Sequence, residues 1–538
     1  MKDIKIKDII IVGGGTSGWM AAIFLIKRQY NVTVIESKKI PTIGVGESTQ
    51  PAVSSFLDFA GYQPTDWMPH ANATFKMGVM FDGWNPNNTF MVDSESAAFS
   101  LLDTTEYASH GTSDAAIATG MTAKEWSNWF PPYRMAINNK SPKMGKERLN
   151  YLNGHTAAPP NAVQWDNIAM INFLKQECLK LGVTQLIDSV VDANLDKEGY
   201  VKELILEDRM ENISGDLYID CSGFHSILFD VIYKCPWHSV HDFLPTNNAV
   251  AIRKKYTNPQ KECHPYTKST AMDSGWMWTI PTYNDLAYGY VYSGDYIDKD
   301  NAEKELRTKI NEWDSPALHV PFKAGTRQTI AFKNVYGVGL SAGFLEPLEA
   351  TNLAFTVIAI GNLGKLLYET QDMYNEHMGL HISKMFSMQV DEIVNFIYMH
   401  YRMATKDDTQ FWKDFKERPI PDKIMPMYNA IKDGPMSQQI FHDMMVKDMP
   451  GFKFVEPNSP IFAAGHWWQL MKGFGRYEHL KGRYSDDFIK YSNLVLGVHS
   501  NRMDKVIETF PNHYDFLTEW YESIGQSHAW EGEWKNIQ

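Results

Sequence analysis

The sequence predicts an α/β protein in which a Rossmann-like, dinucleotide-binding domain with mixed sheets precedes a mainly helical C-terminal domain. Three observations favour this class: a strand, glycine turn and helix near the N-terminus, a second strand that ends in an acidic residue, and helical apolar spacing beyond about residue 365. With 538 residues, 44% of them hydrophobic, the chain is long enough for two or more domains. We expect the first domain at residues 1–365, with insertions near 85–160, and the second at 366–538.

Charge and cysteine usage exclude several classes of protein. The formal charge of -13 and the pI near 5.7 argue against a nucleic-acid or anionic-membrane partner, because such partners require basic patches. The four cysteines are far apart and form no C-x-x-C pair, so we expect neither a metal site nor a disulfide framework. They are Cys178, Cys221, Cys235 and Cys263.

The apolar run at residues 9–26 contains four glycines, which a strand, turn and helix explain better than a membrane span. It also lacks the small-residue cleavage site of a signal peptide. We therefore expect a cytoplasmic protein.

The first strand, at residues 9–12, leads into a turn carrying Gly13, Gly15 and Gly18, and a helix of about 12 residues follows. The next strand covers 31–35 and ends at Glu36, which is 18 residues after Gly18. An acidic residue at about this distance accepts a ribose hydroxyl in dinucleotide sites, and the helix N-terminus favours pyrophosphate. The pattern predicts dinucleotide binding; the alternative is a plain tight turn.

Two further glycine segments suit a ligand site. Residues 44–49, Gly-Val-Gly-Glu-Ser-Thr, read as a strap lying against a ligand or as a flexible loop. Residues 217–224 read as a short apolar strand ending at Asp220 and turning at Gly223, for which the alternative is a surface turn.

A tryptophan pair stands in the segment 275–281, Gly-Trp-Met-Trp-Thr-Ile-Pro. On a strand, residues two apart share a face, so Trp276 and Trp278 are expected to form one aromatic wall. Pro281 is expected to stop the pairing.

Residues 75–81 alternate as a strand with Phe75, Met77, Val79 and Phe81 on one face, which leaves Lys76 on the other. Taken alone, such a lysine is usually solvated.

The segment 343–351 reads Gly-Phe-Leu-Glu-Pro-Leu-Glu-Ala-Thr and precedes an apolar helix predicted at 353–367. Thr351 is a candidate N-cap. A capped helix that favours Glu349 through its dipole is one interpretation, and an anion site at the helix start is the other.

These segments together resemble the flavin-dependent halogenases, the tryptophan halogenase family. Its signature Trp-x-Trp-x-Ile-Pro matches residues 276–281, and its Gly-Val-Gly-Glu-Ala-Thr and Glu-Pro-Leu-Glu-Ser-Thr-Gly-Ile motifs are similar to 44–49 and 346–353. The resemblance extends from residue 9 to about 360. It implies an FAD-binding domain of the glutathione-reductase type and a C-terminal domain on the substrate side.

The resemblance also implies residue roles. Lys76, in a Phe-Lys motif followed by Phe-Asp-Gly-Trp at 81–84, and Glu349 match the catalytic positions. Trp276 and Trp278 screen the flavin face, and Thr351 and Asn352 bind halide. The implied FAD-binding positions are Gly13, Gly15, Thr16, Ser17, Gly18, Glu36, Gly46, Glu47, Ser48, Val190, Asp220, Gly223, Leu340 and Leu353.

The implied reaction uses FADH2, O2 and halide to form hypohalous acid, which travels to Lys76. There the lysine hydrogen-bonds the acid or forms a haloamine, and Glu349 polarises the same species or accepts the ring proton. The sequence has no second glycine fingerprint, so we expect a separate flavin reductase to supply FADH2.

Ala350 and Asn352 depart from the family pattern, which has serine and glycine at these positions. Loss of a hydroxyl donor favours bromide or iodide over the more strongly hydrated chloride. The substrate is expected to be a small electron-rich aromatic of the indole type, with pocket candidates Phe462, His466, Trp467 and Trp468.

Two other functions remain open on the sequence: an FAD-dependent aromatic hydroxylase, and a non-catalytic flavin-binding protein. The oligomeric state is also open, with a homo-oligomer as one possibility.

Overall fold

A computed structural model of the chain describes most of its length. The described residues are 2–40, 44–93, 111–142, 162–422, 424–432, 461–462, 464–480 and 484–524. Part of the predicted insertion near 85–160 lies outside these residues.

Twenty-three strands occur in the described residues. In chain order they are β1 Ile4–Lys5, β2 Asp8–Val12, β3 Asn31–Glu36, β4 Gly46–Ser48, β5 Thr74–Phe75, β6 Gly78–Asn85, β7 Asn88–Asp93, β8 Val163–Asp166, β9 Thr184–Ile187, β10 Val190–Leu195, β11 Val201–Leu206, β12 Leu217–Asp220, β13 Trp237–Ser239, β14 Asn248–Lys255, β15 Thr267–Met272, β16 Gly275–Pro281, β17 Asp285–Tyr292, β18 Ala317–Pro321, β19 Gly325–Arg327, β20 Ala331–Phe332, β21 Val335–Gly337, β22 Gly343–Phe344 and β23 Met373–Tyr374.

Sixteen α-helices occur in the same residues. They are α1 Thr16–Ile26, α2 Pro51–Phe59, α3 Pro64–Trp67, α4 Gly111–Ala118, α5 Ala123–Trp129, α6 Pro131–Ile137, α7 Asn167–Lys180, α8 Pro259–Glu262, α9 Lys299–Ile310, α10 Thr351–Glu369, α11 Glu376–Met403, α12 Gln410–Glu417, α13 Met425–Ile431, α14 Ala464–Gly473, α15 Asp486–Thr509 and α16 His513–Ser523.

The first layer is a six-stranded sheet in the order β20-β21-β12-β2-β3-β9, parallel throughout except at β20. Its central strand β2 has the sequence DIIIV and is buried at four of its five residues, as expected for a parallel strand covered on both faces. Helix α1 packs against α7 and α10, which explains why its apolar residues are not confined to one stripe.

The second layer is a seven-stranded mixed sheet in the order β18-β14-β17-β16-β15-β6-β7. All neighbours in it are antiparallel except β15 and β6. The smaller sheets are β4-β8-β5, β13-β19-β22, β10-β11 and β1-β23.

The C-terminal region is mainly helical. From residue 376 onward the described elements are helices α11 to α16 and a short 3-10 turn at Glu478–Leu480. The α/β fold with mixed sheets and a helical C-terminal region is therefore confirmed. The predicted domain boundary at residue 365 falls inside α10, and the division into 1–365 and 366–538 stays a prediction.

Helix α10 is the core helix of the fold. Together with the preceding turn it forms the segment Leu348–Glu369, which is long and apolar enough to cross a membrane by length and composition. However, 83% of its most apolar window is buried inside the protein, as in the core helices of water-soluble folds.

The single strand predicted at 75–81 is wrong. Phe75 ends β5, which pairs with β8, whereas Val79 and Phe81 belong to β6 of the seven-stranded sheet. Between them the N–H of Lys76 donates to Ala162 O and that of Met77 to Pro265 O. All residues from 73 to 81 are buried, so the alternation does not separate a solvent face from a core face.

Strand β16 packs Trp278 directly over its partner strand. Trp278 pairs with Gly289 of β17, and a Cβ atom on Gly289 would lie 1.8 Å from Trp278 Cζ2. Only glycine leaves room for the indole ring here.

We expect Gly289→Ala to displace Trp278 and to lower the free energy of unfolding by about 1–3 kcal/mol, the scale of overpacking in a filled core. Thermal and chemical unfolding measure it. Gly497→Ala is the matched control, because it lies in α15 with no atom within 4 Å of the added methyl and is expected to be neutral or stabilising. Equal stability of Gly289→Ala and the unmodified protein would contradict the packing argument.

Candidate active site

A cavity of about 730 Å3 lies between the two large sheets. Val12 and Ile35, at the carboxyl ends of β2 and β3, line one side, and Ala249, Trp276 and Trp278 of the seven-stranded sheet line the other. Its volume is typical of small-molecule and cofactor sites, and its place beyond the carboxyl ends of parallel strands is where open α/β sheets bind ligands.

The glycine turn at the N-terminus of α1 forms one end of the cavity. Gly13 has a φ of +117°, and a Cβ there would lie 2.2 Å from Cys221 O. A Cβ on Gly18 would lie 2.0 Å from Gly13 O, so Gly18 brings the helix against the turn without reaching the cavity. Gly15, the N-cap, has no atom within 4 Å of its Cβ position and provides no side-chain cap. Gly15 and the first two residues of α1, Thr16 and Ser17, line the cavity, and a helix N-terminus there fits a pyrophosphate group.

Glu36 lines the cavity at the end of β3. Its carboxylate accepts hydrogen bonds from Lys175 Nζ at 3.2 Å and Gln185 Nε2 at 2.7 Å. Both bonds involve Oε2, so Oε1 has capacity for a ribose hydroxyl.

Asp220 shapes the site indirectly. The buried carboxylate accepts hydrogen bonds from Ser222 N and Oγ and from the N–H groups of Leu228 and Phe229. Burial raises the pKa of Asp220, and these donors oppose the rise. Asp220 thus fixes the turn that carries Gly223 to the cavity wall, but it does not itself line the cavity.

Most of the predicted FAD-binding positions converge on this cavity. The lining residues among them are Gly13, Gly15, Thr16, Ser17, Glu36, Gly46, Glu47, Ser48, Val190, Gly223, Leu340 and Leu353. Gly18 and Asp220 are the two that lie behind the wall.

The two tryptophans form one wall, with ring centroids 6.2 Å apart and planes at 60°. Trp276 Nε1 donates to Glu346 Oε1 at 3.1 Å. Glu346 is fully buried and also accepts from Thr246 Oγ1 and from Tyr401 OH at 2.8 Å. Burial raises the pKa of Glu346 to about 7, against the effect of these three donors.

A strap, residues 44–50, joins the cavity to Lys76 and Glu349. Its strand β4 lines the cavity, while Thr49 O accepts from Lys76 Nζ at 2.8 Å and Gln50 Nε2 donates to Glu349 O at 2.9 Å. Lys76 is 2% exposed and lies behind the cavity wall, whereas Glu349 lines it. Burial lowers the pKa of Lys76 to about 8, and the charge of Glu349 opposes the shift.

The chain enters α10 through two left-handed residues, Glu349 with φ 63° and Ala350 with φ 58°. Non-glycine residues adopt this conformation at a cost and cluster at functional sites when they do. The predicted N-cap at Thr351 is wrong: Ala350 is the N-cap without a side-chain cap, and the Thr351 hydroxyl donates to Glu346 O at 3.3 Å. The kink at Glu349 and Ala350 lets the Thr351 hydroxyl donate to Glu346 O. This hydroxyl is therefore not available to cap the N-terminus of α10. Asn352 lines the cavity, and Thr351 does not.

The sequence analysis did not identify two residues of the site, His400 and Tyr401, which lie near the end of α11. Tyr401 OH donates to Glu346, and His400 Nε2 lies 3.0 Å from Glu349 Oε1. Adjacent residues of one helix thus contact both carboxylates of the loop before α10. The signal in the sequence was a His-Tyr pair in an apolar helical segment, and such a pair more often belongs to the core.

The pocket candidates of the C-terminal region pack in an aromatic cluster. Phe462 stacks on Phe396 with centroids 3.9 Å apart, and Trp467 meets Phe396 edge-on at 4.8 Å. His466 lies 6.0 Å from Phe462, while Trp468 packs on Trp126 at 4.5 Å. Phe396 is one helical turn before His400, so this cluster adjoins the Glu349 side of the site.

In the described residues there is no group of three or more His, Cys, Asp or Glu side chains arranged to hold a metal ion. The four cysteines are unpaired thiols.

Comparison with known proteins agrees with this arrangement. The tryptophan halogenase family model matches residues 8–486. The 7-chloro-L-tryptophan 6-halogenase of Kutzneria sp. (strain 744) is 32% identical over 445 residues, covering 77% of this chain and 83% of the relative. The tryptophan 6-halogenase of Streptomyces toxytricini is 30% identical over 435 residues, covering 77% and 82%. Its crystal structure superimposes with a TM-score of 0.81 at 26% identity, covering 96% of this chain and 99% of that one.

A family match across most of the chain, two relatives at 30% identity or more, and a cavity built from the expected segments lead to one conclusion. The chain belongs to the tryptophan halogenase family and is a flavin-dependent halogenase.

Proposed function

We propose that this protein uses FADH2, O2 and a halide ion to halogenate a small electron-rich aromatic of the indole type, through hypohalous acid directed by Lys76. One observation carries the proposal: a buried lysine of lowered pKa is joined by the strap to Glu349 and to a cavity walled by Trp276 and Trp278. Lys76 forms no ion pair within 4 Å among the residues that the structure describes, and perturbed titratable groups of this kind cluster at functional sites.

The cavity residues fit FAD. We assign the pyrophosphate to the N-terminus of α1, the ribose hydroxyl to Glu36 and the ring face to Trp276 and Trp278, since all of them line the cavity. Reduced FAD bound there would supply the electrons that activate O2, and O2 would be the oxidant that converts halide to hypohalous acid. Trp276 is held in one orientation by Glu346, so the wall separates that chemistry from the organic substrate.

Lys76 is proposed to position hypohalous acid as an ammonium group. One of its three N–H bonds is used by Thr49 O, which leaves two donors for the acid oxygen. Hydrogen bonding to that oxygen makes the halogen more electrophilic and fixes its direction towards one ring carbon.

An indole-type substrate is favoured by the relatives and by the aromatic cluster next to the site. Two relatives are named for tryptophan and chlorotryptophan, and Phe396, Phe462 and Trp467 surround the Glu349 side. A separate flavin reductase is proposed as the source of FADH2, because the sequence contains one dinucleotide fingerprint.

The function is tested by mass spectrometry of an aromatic panel incubated with the protein, FAD, a flavin reductase and chloride, bromide or iodide. We expect Lys76→Met to abolish the halogenated product while FAD binding and FADH2 oxidation continue. Lys472→Met is the matched control: Lys472 is also buried, has a pKa lowered by burial to about 8 and donates to a backbone carbonyl, that of Met121. Substantial product from Lys76→Met would remove Lys76 from the mechanism.

Halogenation per FADH2 oxidised should decrease as the pH rises through about 8, because that is the pKa of Lys76 and the ammonium form is the donor. The direction of this pH dependence distinguishes the two roles of Lys76. A haloamine route requires the neutral amine and therefore predicts an increase in halogenation over the same pH range. A pH series of single-turnover reactions with preformed FADH2 measures it. A rising product yield would assign the haloamine role to Lys76.

We propose bromide or iodide as the preferred halide. Ala350 has no hydroxyl, so the start of α10 has one hydrogen-bond donor fewer than a serine at this position would give. Chloride loses the most hydration on entry and needs the most donors. Incubation with equimolar halides measures the preference as the ratio of the halogenated products. Ala350→Ser should shift this ratio towards the chlorinated product. A chloride preference in the unmodified protein would refute this argument.

A further inference from the structure

The buried histidine His400 lies between two oxygen atoms. It is fully buried in α11, with Nδ1 2.8 Å from Phe396 O and Nε2 3.0 Å from Glu349 Oε1. Nothing in the proposed function uses this side chain.

The first contact determines one proton. A backbone carbonyl only accepts hydrogen bonds, so Nδ1 must carry a hydrogen. In a neutral imidazole the other nitrogen, Nε2, is then an acceptor.

The second contact determines another proton. An unprotonated Nε2 facing an ionised Glu349 would place two acceptors 3.0 Å apart in a buried site. The contact is favourable only if one proton lies between them, either as a Glu349 carboxylic acid donating to Nε2 or as an imidazolium donating to a carboxylate. Both forms contain the same single proton, which the two side chains share across the 3.0 Å contact.

We propose that Glu349 and His400 hold one shared proton in the resting enzyme, and that this pair is the proton donor and then the proton acceptor of the halogenation step. His400 is a positioning residue here, acting through Glu349. This inference deepens the proposed function and rests on it.

The step balances with one proton. The aromatic carbon attacks the halogen of hypohalous acid, the halogen–oxygen bond breaks, and the leaving hydroxide takes the proton of the pair to become water. The pair is now a carboxylate facing a neutral imidazole nitrogen, an unfavourable contact that makes it a stronger base. It then takes the proton from the halogenated carbon, which restores aromaticity and the resting pair.

Aromatic side chains surround His400 and separate the shared proton from solvent. The rings of Phe81, Trp84 and Phe396 lie 5.1, 6.4 and 4.7 Å from the imidazole centroid. Among the described residues, Lys76 is a charged group whose pKa responds to the charge of Glu349, and Glu346 and Tyr401, which bind one another, lie on the same loop and helix as the pair. Glu346 is bound by three donors, whereas the pKa of Lys76 responds directly to the charge of Glu349.

The closing experiment compares pH profiles of halogenation per FADH2 oxidised for the unmodified protein, His400→Gln and His513→Gln. Glutamine at 400 donates an amide N–H to Glu349 and contributes no titratable proton, so the shared proton is lost. We expect His400→Gln to lose about 10²-fold in kcat at pH 7 with KM unchanged. Without the shared proton, the alkaline limb of its profile should lie at lower pH than that of the unmodified protein.

His513→Gln controls for the loss of a buried imidazole. His513 is also fully buried, and its Nδ1 donates to Cys263 O at 3.0 Å, but its Nε2 has no hydrogen-bond partner in the described residues. Its alkaline limb should not move. An unmoved limb in His400→Gln, with kcat within twofold of the unmodified protein, would overturn the proposal.

A second measurement needs no turnover and no folded His400 variant. Nitrogen NMR of the histidine-labelled, unmodified protein should show a protonated Nδ1 at His400, assigned as the imidazole resonance that changes in Glu349→Gln. A neutral His400 with its hydrogen on Nε2 would overturn the shared proton. If no member of the aromatic panel is halogenated, the proposed function fails, and this measurement still decides the protonation of the pair.

Discussion

Burial of the two carboxylates Glu346 and Glu349 is the constraint on which the rest of the site depends. A carboxylate removed from water must recover its hydrogen bonds from the protein or become protonated. Glu346 recovers them from Thr246, Trp276 and Tyr401, which lie respectively just before β14, on β16 and on α11. Satisfying one side chain therefore fixes the seven-stranded sheet, the indole wall and the C-terminal helix relative to one another.

The surroundings of Glu349 differ from those of Glu346. Its backbone is left-handed, its carbonyl accepts from Gln50, and its carboxylate faces a single nitrogen of His400. In the described part of the chain, Glu346 thus accepts from three donors, whereas the Glu349 carboxylate contacts His400 and opens onto the cavity. The first arrangement suits a structural anchor and the second suits a group that must gain and lose a proton.

The strap connects these features to Lys76. Thr49 and Gln50 are adjacent, and they bind Lys76 and Glu349 while the preceding residues of β4 line the cavity. Any displacement of the strap by a ligand in the cavity would therefore reach both polar groups. Burial lowers the pKa of Lys76 to about 8. Its protonation near that pH is therefore sensitive to neighbouring groups.

The sequence by itself determined the features that depend on local chemistry: the glycine turn with Glu36 in register, the Trp276 and Trp278 face, and the helical C-terminal region. Each follows from the spacing of residues within one element, which backbone geometry fixes. Only the tertiary structure decided the rest. The alternating residues at 75–81 predict one strand, but the chain passes from one sheet to another at Lys76. The kink at Glu349 and Ala350 replaces the expected N-cap at Thr351. His400 and Tyr401 reach the site from about 50 residues away along the chain, because buried carboxylates take donors from whichever element packs beside them, and no local pattern encodes that choice.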